Sequence, residues 1–182
     1  ACWSVRVCPR AAWASSSRLR TASRFEPISR SKFSVSLLAM PDRTIDPISG
    51  AIEDWEAIRE RGIDTIVDMD GDVDPGIPEA PNAILYVYHP ILDDDLPNLA
   101  KIEALGRLVA ELVSTDHRVL VHCRMGFNRS VLVIATALTY LGMTGEQAVR
   151  HLRECRPGAL FNENFAAHVL GLPARRIVVE TL

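Results

Sequence analysis

From Met40 onward, apolar and polar positions fall into blocks that switch between helical and extended periodicity. Residues 53–61 read as a short helix closed by Gly62. Residues 63–69, Ile-Asp-Thr-Ile-Val-Asp-Met, predict a buried strand. Residues 70–82 are crowded with Asp, Gly and Pro and read as loop. A second strand is expected over 83–88. After Pro97, Leu99, Ile102, Leu105, Leu108, Val109, Leu112 and Val113 form one helical stripe. Residues 118–122 make a short apolar strand, and a strongly apolar helix follows over 130–141. Thr144 with Gln147 is a capping-box pattern that opens another helix. Asn162 is placed to cap a last helix running through Phe165 and Leu170. Trp55 and Tyr140 are expected in the core. Strands alternating with helices, without internal repeats, predict an α/β domain with a largely parallel central sheet flanked by helices.

Composition changes this picture only at the N-terminus. The 182 residues are 48% hydrophobic and 24% charged, which suits a globular domain with a sizeable core. No apolar run is long enough to span a bilayer, and no membrane partner is expected. Residues 1–39 carry seven Lys and Arg against one acid, Glu26, a net of +6. The rest therefore carries −9 of the overall −3, a poor general binder of nucleic acid. The first 39 residues also hold nine serines and no sustained period. Their composition resembles an organelle transit peptide. The preferred reading is upstream translation or a disordered tail, because a clean amphipathic face is missing and globular patterning begins at Met40. Residues 40–182 are expected to form a single domain. Of the four cysteines, Cys2 and Cys8 lie in the N-terminal stretch, and Cys123 and Cys155 in the body. Without a C-x-x-C pair or clustered His, neither a zinc site nor a disulfide framework is indicated.

The chemistry is concentrated in His122-Cys123-Arg124-Met125-Gly126-Phe127-Asn128-Arg129-Ser130. A buried strand ends at His122 and an apolar helix begins a few residues later. The turn between them exposes backbone N–H groups, and the helix N-terminus adds more, so the segment forms a nest for a phosphate-sized anion. Gly126 permits a conformation that a Cβ penalises. Arg129 can hold two phosphate oxygens in a fork. Amide dipoles, the helix end and Arg129 all favour a thiolate at Cys123. Ser130 can hydrogen-bond that sulfur and ease its departure. His122 is read as ordering the loop rather than as a base.

These residues resemble the HCxxGxxRS signature of the protein tyrosine phosphatase superfamily, and the match is complete. Within it the chain is similar to the compact dual-specificity phosphatases over roughly residues 45–172. The further points of likeness are Gly-x-Asn-Arg-Ser, the upstream His89-Pro90-Ile91-Leu92-Asp93, and Arg156-Pro157 followed by Asn162. The resemblance implies a fold with a phosphate-binding loop and a general acid on a preceding mobile loop, five residues before an Asn-Leu pair. Here that pair is Asn98-Leu99, which selects Asp93 over Asp94 and Asp95. The other two acids read as a solvated turn near a helix N-terminus. Asn162 and Asn164 match a family position that supports the site, although capping explains Asn162 equally well. Cys155 reads as a plain half-buried cysteine rather than a resolving thiol.

The implied reaction has Cys123 attack phosphorus while Asp93 protonates the leaving oxygen, and Asp93 then activates water against the cysteinyl-phosphate. Arg129 and the loop amides stabilise the equatorial oxygens, so no metal or other cofactor is expected. The expected partner is a phosphoprotein bearing phosphotyrosine or phosphoserine/threonine; the oligomeric state is left open. A free thiolate favours a reducing compartment, hence a cytoplasmic location, or an organelle if residues 1–39 are a transit peptide. Low-molecular-weight tyrosine phosphatases share the Cys-five-Arg spacing, but their motif opens the chain and their acid follows it. RNA 5′-triphosphatases share Gly-Phe-Asn-Arg but continue with Thr-Gly, where this chain has Ser130-Val131. A non-catalytic phosphate-binding module typically loses the Cys, the Arg or the acid. Phosphoinositide phosphatases usually carry Lys in the loop, where Arg124 is the one basic residue at a variable position.

Overall fold

The computed structural model describes residues 51–79 and 82–177; the segment 1–39, the proposed start at Met40 and residues up to 50 lie outside the described residues. The elements run α1 (Trp55–Glu60), β1 (Thr65–Asp68), β2 (Leu85–Tyr88), α2 (Leu99–Ser114), β3 (Val119–His122), α3 (Arg129–Tyr140), α4 (Gly145–Cys155) and α5 (Glu163–Leu170). The strands form one parallel sheet in the order β2-β1-β3. Asp68 is opposite Tyr88 on one side and His122 on the other, so the carboxyl ends of all three strands lie level. Ligands of parallel α/β sheets bind outside those ends.

β1, in the centre of the sheet, and β3, at one edge, are buried throughout, and β2 at the other edge is partly exposed. Side chains alternate between two faces. Val67, Val119 and Val121 join the large core made with α2, α3, α4 and α5. Ile66 and Leu120 face the other way, onto Ile52, Ile58 and Ile63. Phe165, Ile102 and Leu132 are fully buried in the main core. Each such side chain contributes about 1.5–3 kcal/mol of transfer free energy.

The predicted elements are present with shifted ends. Asp54 caps α1 by accepting from Ala57 N, so the helix begins at Trp55 rather than at 53. Ile63 N donates to Ile58 O, which ties that residue to the helix end and delays β1 to Thr65. β2 likewise begins at Leu85 instead of 83. The capping box of α4 is formed, with Thr144 and Gln147 satisfying each other's backbone N–H groups. Trp55 and Tyr140 are half-buried at the margin of the core rather than within it. Their polar atoms explain this: the Trp55 indole donates to Pro75 O at 2.7 Å, and the Tyr140 hydroxyl donates to Glu103 at 2.9 Å. Among the described residues, no helix is long and apolar enough to cross a membrane.

Candidate active site

β3 delivers His122 to the level end of the sheet, and α3 starts at Arg129. Residues 123–128 bridge the two. Cys123 is 4% exposed, at the base of this loop. Its Sγ accepts from Gly126 N at 3.3 Å and lies 3.3 Å from Ser130 Oγ, which is itself buried. Gly126 has φ +63°, the left-handed conformation expected for it. The loop is therefore wound around the sulfur by donors that favour its anionic form.

Arg129 is held from one side. Its Nη1 donates to Met69 O at 3.1 Å and to Asp70 Oδ1 at 3.0 Å. Its Nε is buried and has no partner among the described residues. A buried guanidinium N–H without an acceptor is costly. A phosphoryl oxygen would satisfy it. Asp70 sits two residues past β1, in the segment read as loop. No pattern at sequence level distinguished it from its acidic neighbours; only the parallel pairing of β1 with β3 brings it to Arg129.

Asp93 lies across the cavity, which has a volume of about 360 Å³ and is lined by Asp70, Pro90, Ile91, Leu92, Arg124 and Arg129 among others. Asp93 Oδ2 accepts from Asn128 Nδ2 at 2.9 Å, and Oδ1 accepts from Asn162 Nδ2 at 3.1 Å. Asn128 and Asn162 are themselves joined, Asn162 N donating to Asn128 Oδ1 at 3.0 Å. Asp94 and Asp95 are exposed, and neither lines the cavity. Asn162 does both tasks foreseen for it: its Oδ1 caps α5 through Asn164 N and Phe165 N while its amide holds Asp93. Asn128 precedes α3 without capping it, because its side chain is spent on Asp93 and Asn162. The part it plays toward Asp93 was not foreseen from the sequence.

The connection from α4 to α5 braces the outside of the loop. Arg156 Nη2 donates to Met125 O at 3.1 Å, and its guanidinium stacks 3.9 Å from the Phe127 ring centre. Leu160 N donates to Phe127 O at 2.7 Å, with Leu160 itself at φ +57°. Such a conformation costs a non-glycine residue about 1–2 kcal/mol. The full burial of its side chain offsets that cost. Burial pulls the Arg156 guanidinium below its usual pKa, and the charge of Cys123 opposes that shift. Leu92 in the cavity lining is strongly exposed, as are Met125 in the loop and Phe161, whose ring centre is 6.2 Å from that of Phe127. His122 is buried against Asp68 and Asp74. Cys155 is half-buried, with its Sγ 3.9 Å from His151 Nε2.

Comparison with known proteins agrees with this geometry. The chain is 32% identical over 100 residues to human cyclin-dependent kinase inhibitor 3, an overlap of 47% of each chain. It is 29% identical over 114 residues to rat protein phosphatase Slingshot homolog 3, covering 60% of this chain and 17% of that one. It thus spans less than half the length of these relatives. A mouse dual specificity phosphatase complexed with zinc tungstate superposes with a TM-score of 0.54 at 27% identity, covering 63% of this chain and 71% of that structure. The model of the dual specificity phosphatase catalytic domain matches residues 52–172, and the chain belongs to that family.

Proposed function

We propose that this chain hydrolyses phosphomonoesters on protein tyrosine or serine/threonine side chains through a cysteinyl-phosphate. The observation that carries the reading is the pairing of a buried sulfur, hydrogen-bonded by Gly126 N and adjacent to Ser130, with a buried Arg129 Nε that lacks an acceptor. Tungstate in the mouse relative is an oxyanion of the size such a nest takes. Phosphatases of protein substrates among the relatives support a phosphoprotein as the partner.

In this reading the thiolate of Cys123 attacks phosphorus in line, and the P–O bond to the alcohol or phenol breaks. The leaving oxygen takes a proton from Asp93. Arg129 and the loop N–H groups hold the three equatorial oxygens. Water then attacks phosphorus, giving its proton to Asp93, and the S–P bond breaks so that sulfur leaves as a thiolate beside the Ser130 hydroxyl. Inorganic phosphate is released, and Asp93 is again protonated. A thiolate nucleophile works only while it stays reduced, which supports a reducing compartment such as the cytoplasm for this activity.

The test uses purified protein and phosphotyrosine, phosphoserine and phosphothreonine peptides. Wild type should release phosphate from at least one class. Cys123→Ser should release none while still binding tungstate or vanadate, because Arg129 and the amides remain. Hydrolysis retained by Cys123→Ser would overturn the mechanism.

A further inference from the structure

Behind the phosphate-binding loop lies a second cluster of ionisable groups that the reaction above does not use. Asp68 ends β1, Tyr86 lies on β2, Asp74 sits in the turn after β1, and His122 ends β3. Asp68, Asp74 and His122 are each at most 4% exposed. Two carboxylates in such a place are expensive unless their charges are neutralised or paired.

The hydrogen bonds reveal how many protons the cluster holds. The Tyr86 hydroxyl lies 2.6 Å from Asp68 Oδ2 and 2.9 Å from Asp74 Oδ2, and it accepts from Asp74 N at 3.1 Å. A phenol has one proton, so it can donate to only one of the two carboxyl oxygens. The other contact is repulsive unless that carboxyl group brings a proton of its own. Asp74 has the better claim to the negative charge. Its Oδ1 accepts from Ile52 N at 2.7 Å, and its Oδ2 lies 3.0 Å from His122 Nε2, off the line of a hydrogen bond but close enough for an ion pair. Asp68 is 3.7 Å from the same ring nitrogen, and its Oδ1 accepts the Asp70 N–H at 2.8 Å.

We propose that Asp68 is held as a neutral acid that donates to Tyr86, that Tyr86 donates to Asp74, and that the Asp74 anion pairs with a cationic His122, the whole acting as a positioning unit for the phosphate-binding loop. Every donor and acceptor at Tyr86 is then used once. Two links reach the site. His122 is the residue before Cys123, and Asp70, whose N–H donates to Asp68, braces Arg129. Burial raises the Asp68 carboxyl above its ordinary range and pushes the Tyr86 phenol up, which keeps both as donors. The titratable groups facing His122 are Asp68 from β1, Tyr86 from β2, Asp74 from the turn and Cys123 beside it. The unit rests on the phosphatase reading only for its effect on turnover; the stability and alkylation measurements below do not need turnover.

The same three donors, Asp68, Asp74 and His122, lie close enough together to suggest a metal site. The contacts argue against it: all four carboxyl oxygens are already engaged by Asp70 N, Tyr86, Ile52 N or His122.

Asp68→Asn, Asp74→Asn and wild type separate these readings. An amide at 68 imitates a neutral acid, whereas an amide at 74 removes the anion. A raised carboxyl pKa makes wild type lose stability as pH climbs from the unfolded value, near 4, through the folded one. The melting temperature of Asp68→Asn should therefore gain on wild type as pH rises above about 4, and that of Asp74→Asn should not. The pH profile of Cys123 alkylation by iodoacetamide should move upward by about one unit in Asp74→Asn, roughly a tenfold loss of reactivity at fixed pH, because His122 loses its counter-charge. Loss of a bare negative charge near the sulfur would move it the other way. In turnover, kcat should fall with little change in KM. An alkylation profile that is unchanged or moves downward in Asp74→Asn, or equal pH–stability curves for both variants, would overturn the proposal. One equivalent of zinc or manganese found by elemental analysis in wild type, and lost from both variants, would overturn it in favour of a metal site.

Discussion

Asp93 divides its two oxygens between the amides of Asn128 and Asn162, which fix this loop residue in the wall of the cavity. The arrangement suits a carboxylate about to take a proton from water, the second half of the proposed reaction. Asp93→Asn should slow the hydrolysis of alkyl phosphates by about 100-fold or more, and much less for aryl phosphates whose leaving groups need little protonation. Measuring kcat over a series of leaving groups checks this; the same pattern in Asp94→Asn instead would move the acid by one residue. Asn162→Ala removes an N-cap as well as the hold on Asp93. It should cost about 1 kcal/mol of stability and, separately, lower kcat. Thermal melts alongside kinetics on the same preparation resolve the two effects. The choice of Asp93 came from its distance to Asn98-Leu99. The clamp was not, because Asn128 and Asn162 are 34 positions apart and meet only when α5 docks beside the loop.

Among the elements, α2 and α3 make the broadest contact with each other, and Gly106 is the point of closest approach. A Cβ there would lie 2.5 Å from Thr136 Cγ2 and 3.2 Å from the Ala137 backbone N. Thr136 is fully buried and its hydroxyl donates to Leu132 O, so it has little room to yield. Gly106→Ala should therefore destabilise the protein by about 1–3 kcal/mol in spite of the better helix propensity of alanine. Chemical denaturation measures it; a stability equal to or above wild type would refute the close packing. The stripe from Leu99 to Val113 was enough to predict α2 and its buried Ile102, Val109 and Val113, but not the burial of Gly106 and Ala110. Gly106 reads as a weakness in a lone helix and becomes a requirement only where the second helix crosses.

At the scale of the molecule, the charge is unevenly spread. The region after residue 39 is net −9, and Asp94 and Asp95 stand exposed beside the mouth of the cavity. An RNA 5′-triphosphate is a polyanion that needs basic grooves beyond the loop. Phosphorylated peptides should be hydrolysed much faster than triphosphate-ended RNA, and the ratio should be read at moderate salt. Faster, salt-sensitive release of γ-phosphate from RNA would reverse this reading. The exposed Leu92 in the cavity lining is better suited to a peptide's apolar side chain than to a phosphodiester backbone.

What the sequence determined alone is whatever depends on neighbours along the chain. The alternation of periods specified α/β architecture, the run from His122 to Ser130 specified an anion nest with a nucleophile, and Thr144 with Gln147 specified where α4 starts. These are local because hydrogen bonds to the next turn and apolar periodicity act over a few residues. Tertiary structure alone decided which of several acids mattered. Asp68, Asp70 and Asp74 belong to one short acidic stretch with no pattern among them, yet Asp70 braces Arg129 and the other two are buried with Tyr86 and His122. The reason is the parallel sheet: pairing β1 between β2 and β3 sets side chains from distant segments level at one end, where burial and proximity assign each carboxyl group its partner.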